Sequence, residues 1–478
     1  MNAQTLLPSN RISSAILFLT VAAAPLPLGS ADPPTIALWC IVLGVAVIFA
    51  SPRALRQEHL PLVGLALVVI LAYGFVLHEQ IAAHPWIAQS HPLWSKAAET
   101  IGTPIPPSVS IARNQPYYAL GAPLANMLAI ICSFLVCIDR DRARQLILVV
   151  AWSGAAYAFY GVVVYATNPA RILWYEKLAY RDVLTSTFVN RNTAAVYFGS
   201  CAILWLLLLS QKIRYRLPAG RIYWRAVLRM FQSGPILLPT MMLLLCVAAM
   251  LMTNSRAGIV ISLMTLVLAF TLFFRRDLSS RTAIATTLVV GAMIVLVLLQ
   301  ILGGNVSGRF DVQGLSDEGR LDVYRSTLRM IADHPWFGTG LGTFVWSFPA
   351  YRSANISVWG VWDRAHSTPL ELASDLGLPL AGLIVFAWLI VLCVLVRGVW
   401  IRQRDLIVPV AALAVAIVGL IHSMIDFSLQ ISGYSVVVFA LAGAGLAQSF
   451  PSINIDRSGE AVVPLKTLST IKTLVRNL

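Results

Sequence analysis

The sequence repeats uncharged, apolar stretches of about 18–22 residues, and few folds can accommodate them. Each stretch, once helical, is long enough to cross the roughly 30 Å hydrocarbon core of a bilayer. The chain is 58% hydrophobic and only 12% charged, which lies outside the range of soluble domains. A transmembrane β-barrel would instead need segments of roughly ten residues with alternating polarity. The pattern therefore predicts helices that span a membrane.

Twelve stretches qualify as spans, nine before and three after a long polar loop. We interpret the first as an uncleaved span rather than a signal peptide, because this gives an even number of spans and a consistent alternation of charge. The predicted fold is an all-α polytopic membrane protein with about twelve transmembrane helices and a large, partly helical outer loop between the ninth and tenth. The spans are residues 12–29, 35–50, 60–77, 118–138, 145–166, 192–210, 235–252, 257–274, 282–302, 376–396, 406–422 and 431–449.

This layout divides the chain into four segments. Residues 1–302 carry spans one to nine, 303–375 form the large outer loop, 376–450 carry the last three spans and 451–478 form a cytoplasmic tail. No other loop is as long or combines as much arginine, histidine, glycine and tryptophan. We therefore expect the functional site in this loop.

The formal net charge of +14 would suggest an anionic partner in a soluble protein. With the N-terminus in the cytoplasm, 22 of the 35 basic residues fall in the inner loops and the tail, as the positive-inside rule expects. Nucleic acid is thus not needed as a partner, and the basic cluster at 212–229 is interpreted as a solvated loop rather than a lipid-binding or partner-binding site. The 13 outer basic residues lack this explanation.

Cysteine and histidine patterns predict no metal site. All six cysteines lie in or at the ends of apolar stretches, so neither a disulfide framework nor a zinc site is expected. The outer loop at 78–117 carries His78, His84 and His91 at a spacing that matches no metal pattern. We interpret that loop as a structural cap.

Two arginines lie where outer loops meet predicted spans. Arg191 opens the sixth span, and Arg256 lies in a very short turn between spans seven and eight. A guanidinium at a membrane boundary is costly unless it is paired or functional, and its planar fork matches phosphate oxygens. The alternatives are a snorkelling arginine and a helix-capping turn. We hypothesise that both bind a phosphate group.

The first part of the large loop, residues 318–333, has helical periodicity. Arg325 and Arg329 lie one turn apart on its polar face, so both can contact one anion. The glycine run at 338–342 has no preceding strand and no following Lys-Ser/Thr pair, which argues against a P-loop or dinucleotide fold. The opposite, apolar face of the predicted helix comprises Leu321, Tyr324, Leu328 and Ile331.

His366 lies near the end of this loop, before a short helical pattern that leads into the tenth span. Nearby arginines favour a neutral imidazole, which can serve as a general base. A structural role for this histidine is the alternative. His422 and Asp426, at the outer end of the eleventh span, can line the same cavity.

Several motifs occur in order along the chain: Phe188-Val189-Asn190-Arg191-Asn192, Ser255-Arg256-Ala257-Gly258, Gly319-Arg320 followed by 334–342, and Ala365-His366-Ser367-Thr368-Pro369-Leu370-Glu371 with Leu376-Gly377. Together they resemble the O-antigen ligase and polymerase family of bacterial envelope proteins. The resemblance covers residues 185–380 and extends to the twelve-span layout. Position 367 departs from it, since the family has Asn where this chain has Ser.

The resemblance implies a metal-independent, inverting glycosyltransferase of the bacterial inner membrane, without a cofactor and with its site facing the periplasm. The donor would be a glycan on undecaprenyl diphosphate. A ligase, towards which the motif pattern leans, uses lipid A–core as acceptor, whereas a polymerase of O-antigen or exopolysaccharide uses a second lipid-linked repeat unit. By motif, His366 would be the catalytic base. The predicted substrate-binding residues are Arg191, Arg256, Arg320, Arg325 and Arg329.

A transporter or flippase of lipid-linked glycans is the rival hypothesis from another functional class. It should carry charges near the centres of its spans and broken helices in matching halves. Here the charges collect at one membrane interface and no repeat between the halves is visible. A purely structural assembly subunit would leave the outer arginines unexplained.

Overall fold

A computed structural model describes residues 8–216, 234–278, 281–302, 318–356, 361–402 and 405–450, together with two short strands at 454–455 and 461–462. Three sequence predictions fall partly outside the described residues. They concern the beginning of the large loop, most of the basic cluster and almost all of the C-terminal tail.

The described part of the chain is almost entirely helical. Two antiparallel hairpins pair β1 (Arg171–Ile172) with β2 (Tyr175–Glu176) and β3 (Asn454–Ile455) with β4 (Ala461–Val462). The α-helices are α1 (Pro8–Ala23), α2 (Pro33–Phe49), α3 (Leu60–Ile81), α4 (Leu93–Ile101), α5 (Gln115–Ala119), α6 (Gly121–Val136), α7 (Arg140–Thr167), α8 (Arg191–Arg216), α9 (Leu237–Met252), α10 (Arg256–Phe274), α11 (Arg281–Leu302), α12 (Glu318–Asp333), α13 (Phe344–Ser347), α14 (Thr368–Leu376), α15 (Leu378–Ile401), α16 (Ile407–Ser423) and α17 (Ser432–Ala447).

Six helical stretches among the described residues are long and apolar enough to cross a bilayer: Gln57–Ile81, Gln115–Val136, Arg140–Thr167, Arg191–Arg216, Arg256–Phe274 and Leu378–Ile401. Shorter apolar helices lie at the other predicted spans. A helix pairs its backbone groups within its own segment, as a bilayer requires. The chain is thus an all-α, multi-pass membrane protein. The count of twelve spans stays a prediction, as do the four sequence segments.

Helix α8 forms the centre of the bundle, surrounded by α7, α9, α10 and α16. Its side chains are buried continuously from Thr193 to Trp205. Small residues let its neighbours approach closely, as is usual where lipid supplies no hydrophobic driving force. A Cβ atom on Gly199, for example, would lie 2.0 Å from the hydroxyl of Ser262 on α10.

Helices α6 and α17 are packed equally tightly. Ser133 of α6 donates to the carbonyl oxygen of Ala440 at 2.6 Å, and Ser435 of α17 donates to the side-chain oxygen of Asn126 at 2.7 Å. A Cβ atom on Gly443 would lie 2.4 Å from the carbonyl oxygen of Ile130. The backbones of the two helices are therefore in direct contact.

Helix α3 stands apart from the bundle along most of its length. At its N-terminal end, the ring of His59 lies edge-on to Phe450 at 4.8 Å between ring centres. Between its two ends, α3 forms one wall of an apolar groove of about 820 Å³, and α6, α15 and α17 contribute the others. The buried residues of α3 itself lie towards its C-terminal end and are Tyr73, Val76, Glu79 and Gln80.

Helix α12 has the boundaries that the sequence predicted, but only part of its predicted apolar face is buried. Leu321 and Leu328 are 42% and 54% exposed. Ile331 packs against Ala373 and Ala381, while the rest of the buried face is turned towards aromatic residues of the following loop. Val323 and Met330 form a small core there with Phe344, Phe348, Ile356 and Ala365.

Replacing Gly443 with Ala should destabilise the bundle, because the added methyl group meets backbone atoms that cannot move aside. We expect a loss of about 1–3 kcal/mol, as for overpacking in other cores. Thermal unfolding of the purified protein in detergent measures this loss. Gly64→Ala is the matched control, since a Cβ atom on that helical glycine meets nothing within 4 Å. Equal stability of the two variants would contradict the close packing of α6 and α17.

Candidate functional site

Three arginines that the sequence singled out begin helices at the same end of the bundle. Arg191 is the first residue of α8, Arg256 is the first residue of α10, and Arg320 lies in the first turn of α12. Helix N-termini carry partial positive charge, so this end of the bundle favours an anion. The guanidinium of Arg191 also lies over the ring of Tyr180, 5.0 Å from its centre.

Asp426 connects these helix starts. Ser255 donates to the side-chain oxygen of Asn192 at 2.8 Å, and the side-chain amide of Asn192 donates to the Asp426 carboxylate at 2.6 Å. The same carboxylate lies 3.8 Å from the guanidinium of Arg320 and is only 2% exposed. A single buried carboxylate thus ties α8, α10 and α12 to the segment after α16.

Arg320 makes a second contact with the segment that follows α16. Its other terminal nitrogen donates to the carbonyl oxygen of Ile425 at 3.0 Å. His422, one turn before Asp426, is buried and lies 3.0 Å from the hydroxyl of Ser428. The sequence placed His422 and Asp426 beside one cavity, and the structure gives Asp426 the more central position.

His366 lies next to this cluster. Its ring is edge-on to Trp362 at 5.6 Å and to Phe427 at 5.2 Å, and Tyr324 donates to its carbonyl oxygen at 2.9 Å. Its backbone has a φ of 53°, an uncommon value for a residue other than glycine. Such strain persists where the surroundings dictate the conformation, and it is common at functional sites.

The surroundings of His366 favour the neutral imidazole. Burial lowers the pKa of His366 below its ordinary value, and the charge of Arg320 lowers it further, whereas Asp426 raises it. Its Nδ1 atom is enclosed and has no hydrogen-bond partner among the described residues. At neutral pH the side chain can therefore accept a proton, as the sequence-based hypothesis requires.

A carboxylate on α14 holds the chain immediately before His366. Glu371 accepts hydrogen bonds from Arg364 at 3.1 Å and from the backbone N–H of Ala365 at 2.9 Å. Arg364 also donates to the side-chain oxygen of Gln430 at 2.8 Å. These contacts fix the position of His366 relative to the segment that carries Asp426.

Arg325 and Arg329 are engaged elsewhere. Arg325 is 74% exposed at its side chain and pairs with Asp322 at 3.2 Å. Arg329 donates to the carbonyl oxygen of Tyr351 at 3.0 Å. In the described part of the chain, neither arginine contacts His366 or Asp426, so their role in binding an anion stays a prediction.

The glycine run is a structural turn. Its backbone N–H groups are occupied: Gly340 donates to the carbonyl oxygen of Asp375, Gly342 to its carboxylate, and Leu341 to the side chain of Gln80 on α3. Gly340 has a φ of 115°, which only glycine adopts readily. Because these donors are occupied, the turn cannot cradle a phosphate as a P-loop does.

The apolar groove beside α3 reaches the chain just before His366. Asp363, Arg364 and Glu371 belong to its lining, while its other walls are mostly aliphatic and aromatic. The groove extends to Pro52 and Leu446 at the opposite end of the bundle. It therefore runs along most of the length of α3, which at 1.5 Å per residue is roughly 33 Å.

The sequence did not identify Asn192, Tyr180 or Glu371 as site residues. Asn192 and Glu371 do lie within the quoted motifs, but nothing in the spacing indicated that Asn192 would reach Asp426, 234 positions away. Tyr180 belongs to an irregular outer loop with no periodicity. Only tertiary contacts reveal these residues.

The fold and the site together define a multi-pass membrane protein with a cationic, histidine-containing site at one end of its helical bundle. Residues 241–387 match the family model described as O-antigen ligase. This match supports the O-antigen ligase and polymerase family, to which the motifs pointed, and it includes Arg256, Arg320 and His366. Arg191 and Asp426 lie outside the matched residues. A comparison with curated proteins found no matching relative.

The loop before α4 contacts the residue that follows α12 through a pair of histidines. His91 and His334 lie with their Nε2 atoms 3.1 Å apart and their rings stacked. Leu93 donates its backbone N–H to His91 Nδ1, so in the neutral pair His91 Nε2 is the donor. Burial, together with the neighbouring His334, lowers the pKa of His91 to about 4.

Acidification should weaken this contact. The unfolded chain binds a proton at His91 more readily than the folded chain, so stability should fall as the pH drops from about 6.5 to 4, by about 1–3 kcal/mol. Thermal unfolding across this pH range measures the effect. His91→Gln should reduce the pH dependence, whereas His84→Gln, at an exposed position of the same loop, should leave it intact. An unchanged dependence of stability on pH in His91→Gln would contradict this prediction.

Proposed function

We propose that this protein is a metal-independent, inverting glycosyltransferase of the bacterial inner membrane. It takes a glycan from an undecaprenyl-diphosphate carrier and passes it, at the periplasmic face, to a sugar hydroxyl of lipid A–core. The O-antigen ligase match supports this class of activity. The observation that carries the proposal is the position of His366 near the buried Asp426, which contacts Arg320 and Asn192. Arg191 precedes Asn192 at the start of α8, and Arg256 follows Ser255, which donates to Asn192, at the start of α10.

The arginines account for activation of the leaving group. The bond between the anomeric carbon and the diphosphate oxygen breaks, and its electron pair stays on the diphosphate. Guanidinium groups stabilise this developing charge, and each can donate two hydrogen bonds to phosphate oxygens. Arg191, Arg256 and Arg320 are suited to this role because each lies in the first turn of a helix.

His366 acts as the general base. Because Nδ1 is enclosed, we assign proton transfer to Nε2. It removes the proton from the acceptor hydroxyl as that oxygen attacks the anomeric carbon on the face opposite the diphosphate, which inverts the configuration. Asp426 then stabilises the imidazolium cation by its negative charge. Asn192 and Arg320 hold this carboxylate in place.

The groove beside α3 suits a lipid-linked substrate. A long apolar chain must remain in the bilayer while its head group reaches the aqueous face. The groove offers apolar walls along most of α3 and opens beside the loop that carries His366. We assign it to the apolar chain of a lipid-linked substrate.

The direct test uses purified protein, a chelator and an undecaprenyl-diphosphate glycan, with lipid A–core and a second lipid-linked repeat unit offered separately. Product on lipid A–core establishes the ligase. Lengthened lipid-linked chains would instead establish a polymerase. If no product forms and the lipid crosses a vesicle membrane, the protein is a transporter and the roles assigned above are wrong.

His366→Ala should reduce transfer by about 10²–10⁴-fold, the usual contribution of a general base, and should leave donor binding nearly unchanged. Initial rates of product formation and a separate donor-binding measurement check the two parts. His84→Ala is the control, because it removes an exposed histidine of another outer loop. Retained transfer in His366→Ala would remove this residue from the mechanism.

Arg191→Ala and Arg256→Ala should each weaken donor binding by about tenfold or more, since each removes a charge-assisted contact to phosphate. Binding of the fluorescently labelled donor to purified variants provides the measurement. Arg181→Ala is the matched control, because that arginine also lies in an outer loop and pairs loosely with Glu176 at 3.9 Å. Normal donor binding by both site variants would place the diphosphate elsewhere.

A further inference from the structure

A second cleft lies at the opposite end of the bundle, where α1 and α7 begin side by side. It has a volume of about 440 Å³ and opens laterally between the two helices. The inner, cytoplasmic side of the membrane is predicted at this end. The cleft is therefore remote from His366 and does not depend on the proposed activity.

Two arginines lie at the polar end of this cleft. Arg11 is exposed, and Arg142 donates to the side-chain oxygen of Gln145 at 2.9 Å. Among the described residues, no carboxylate forms a salt bridge with either guanidinium. The acidic residues at the start of α7 are otherwise engaged, since Asp139 accepts hydrogen bonds from the first turn of the helix and Asp141 pairs with Arg144 at 3.7 Å.

The remainder of the cleft is apolar. Phe18 of α1 and Leu148 and Val149 of α7 line it in the direction of the membrane interior. Leu148 is 41% exposed, so it faces the lipid rather than another helix of the described chain. The cleft thus has a cationic end and an apolar wall that extends towards the membrane interior. The head group and the acyl chain of a lipid in the bilayer follow the same order.

We infer that this cleft binds an anionic glycerophospholipid of the cytoplasmic leaflet. Its phosphate contacts Arg11 and Arg142, and an acyl chain lies along Phe18 and Leu148. Basic pockets between transmembrane helices on the cytoplasmic side bind anionic head groups in this way. The bound lipid joins α1 to α7 and stabilises their contact.

The test compares lipids that differ only in the head group. The detergent-purified protein is titrated with phosphatidylglycerol or with phosphatidylcholine of the same acyl chains, and native mass spectrometry counts the bound lipid while thermal unfolding reports stability. We expect phosphatidylglycerol to bind and to raise the unfolding midpoint, and phosphatidylcholine to bind about tenfold more weakly or worse. Equal binding of the two lipids would overturn the proposal.

Variants locate the site. Arg11→Gln combined with Arg142→Gln should reduce phosphatidylglycerol binding about tenfold or more. Arg53→Gln, an exposed arginine at the same end that does not line the cleft, should bind as the unmodified protein does. If the double variant and Arg53→Gln both lose phosphatidylglycerol binding, basic residues attract the lipid only in a general way and the cleft is not its site. If the double variant still binds phosphatidylglycerol, the lipid lies elsewhere.

Two further arms identify the part of the lipid that matters. Inorganic phosphate should neither bind detectably nor raise the unfolding midpoint, because it lacks the acyl chain. Leu148→Ser should weaken phosphatidylglycerol binding while leaving the lipid-free unfolding midpoint nearly unchanged, since Leu148 is exposed. Stabilisation by phosphate alone, or unchanged lipid binding in Leu148→Ser, would show that the cleft is an ion site rather than a lipid site.

Discussion

A bilayer offers no hydrogen bonds to a polypeptide, and the architecture of this protein depends on that constraint. Every backbone group within the hydrocarbon must find a partner inside its own segment, so the apolar stretches become helices. Lipid also removes the hydrophobic driving force for helix association, so the helices associate through close backbone contacts instead. Gly199 against Ser262 brings α8 close to α10, and Gly443 against Ile130 brings α17 close to α6.

Polar chemistry is thereby confined to the ends of the helices. At the end of the bundle that carries His366, several cations can lie close together because buried carboxylates offset their charge. Asp426 lies beside Arg320, and Glu371 pairs with Arg364. Each carboxylate also accepts a hydrogen bond from the chain that it positions, which lowers the cost of burying its charge. An anionic leaving group and a neutral base can then occupy neighbouring positions.

The glycine turn shows how the loop that carries the base is attached to the bundle. Gln80 on α3 accepts from Leu341 and donates to the carbonyl oxygens of Phe337 and Asp375. The turn thus links α3 to α14, whose first turn follows His366. Since α3 also forms a wall of the groove, one helix contacts both the proposed lipid site and the framework of the catalytic loop.

The sequence by itself determined the class of fold and the boundaries of α12, and it predicted the candidate site residues. These follow from local physical rules, because a span must be apolar over a known length and an arginine at a membrane boundary must be paired or functional. It did not determine which face of α12 is buried, since that depends on aromatic residues supplied by a later part of the loop. Nor did it reveal the contact between Asn192 and Asp426, or the different positions of Arg320 and Arg325 relative to His366. Only the tertiary structure decided these, because they result from contacts between segments that are far apart in the chain and leave no periodic signal in the sequence.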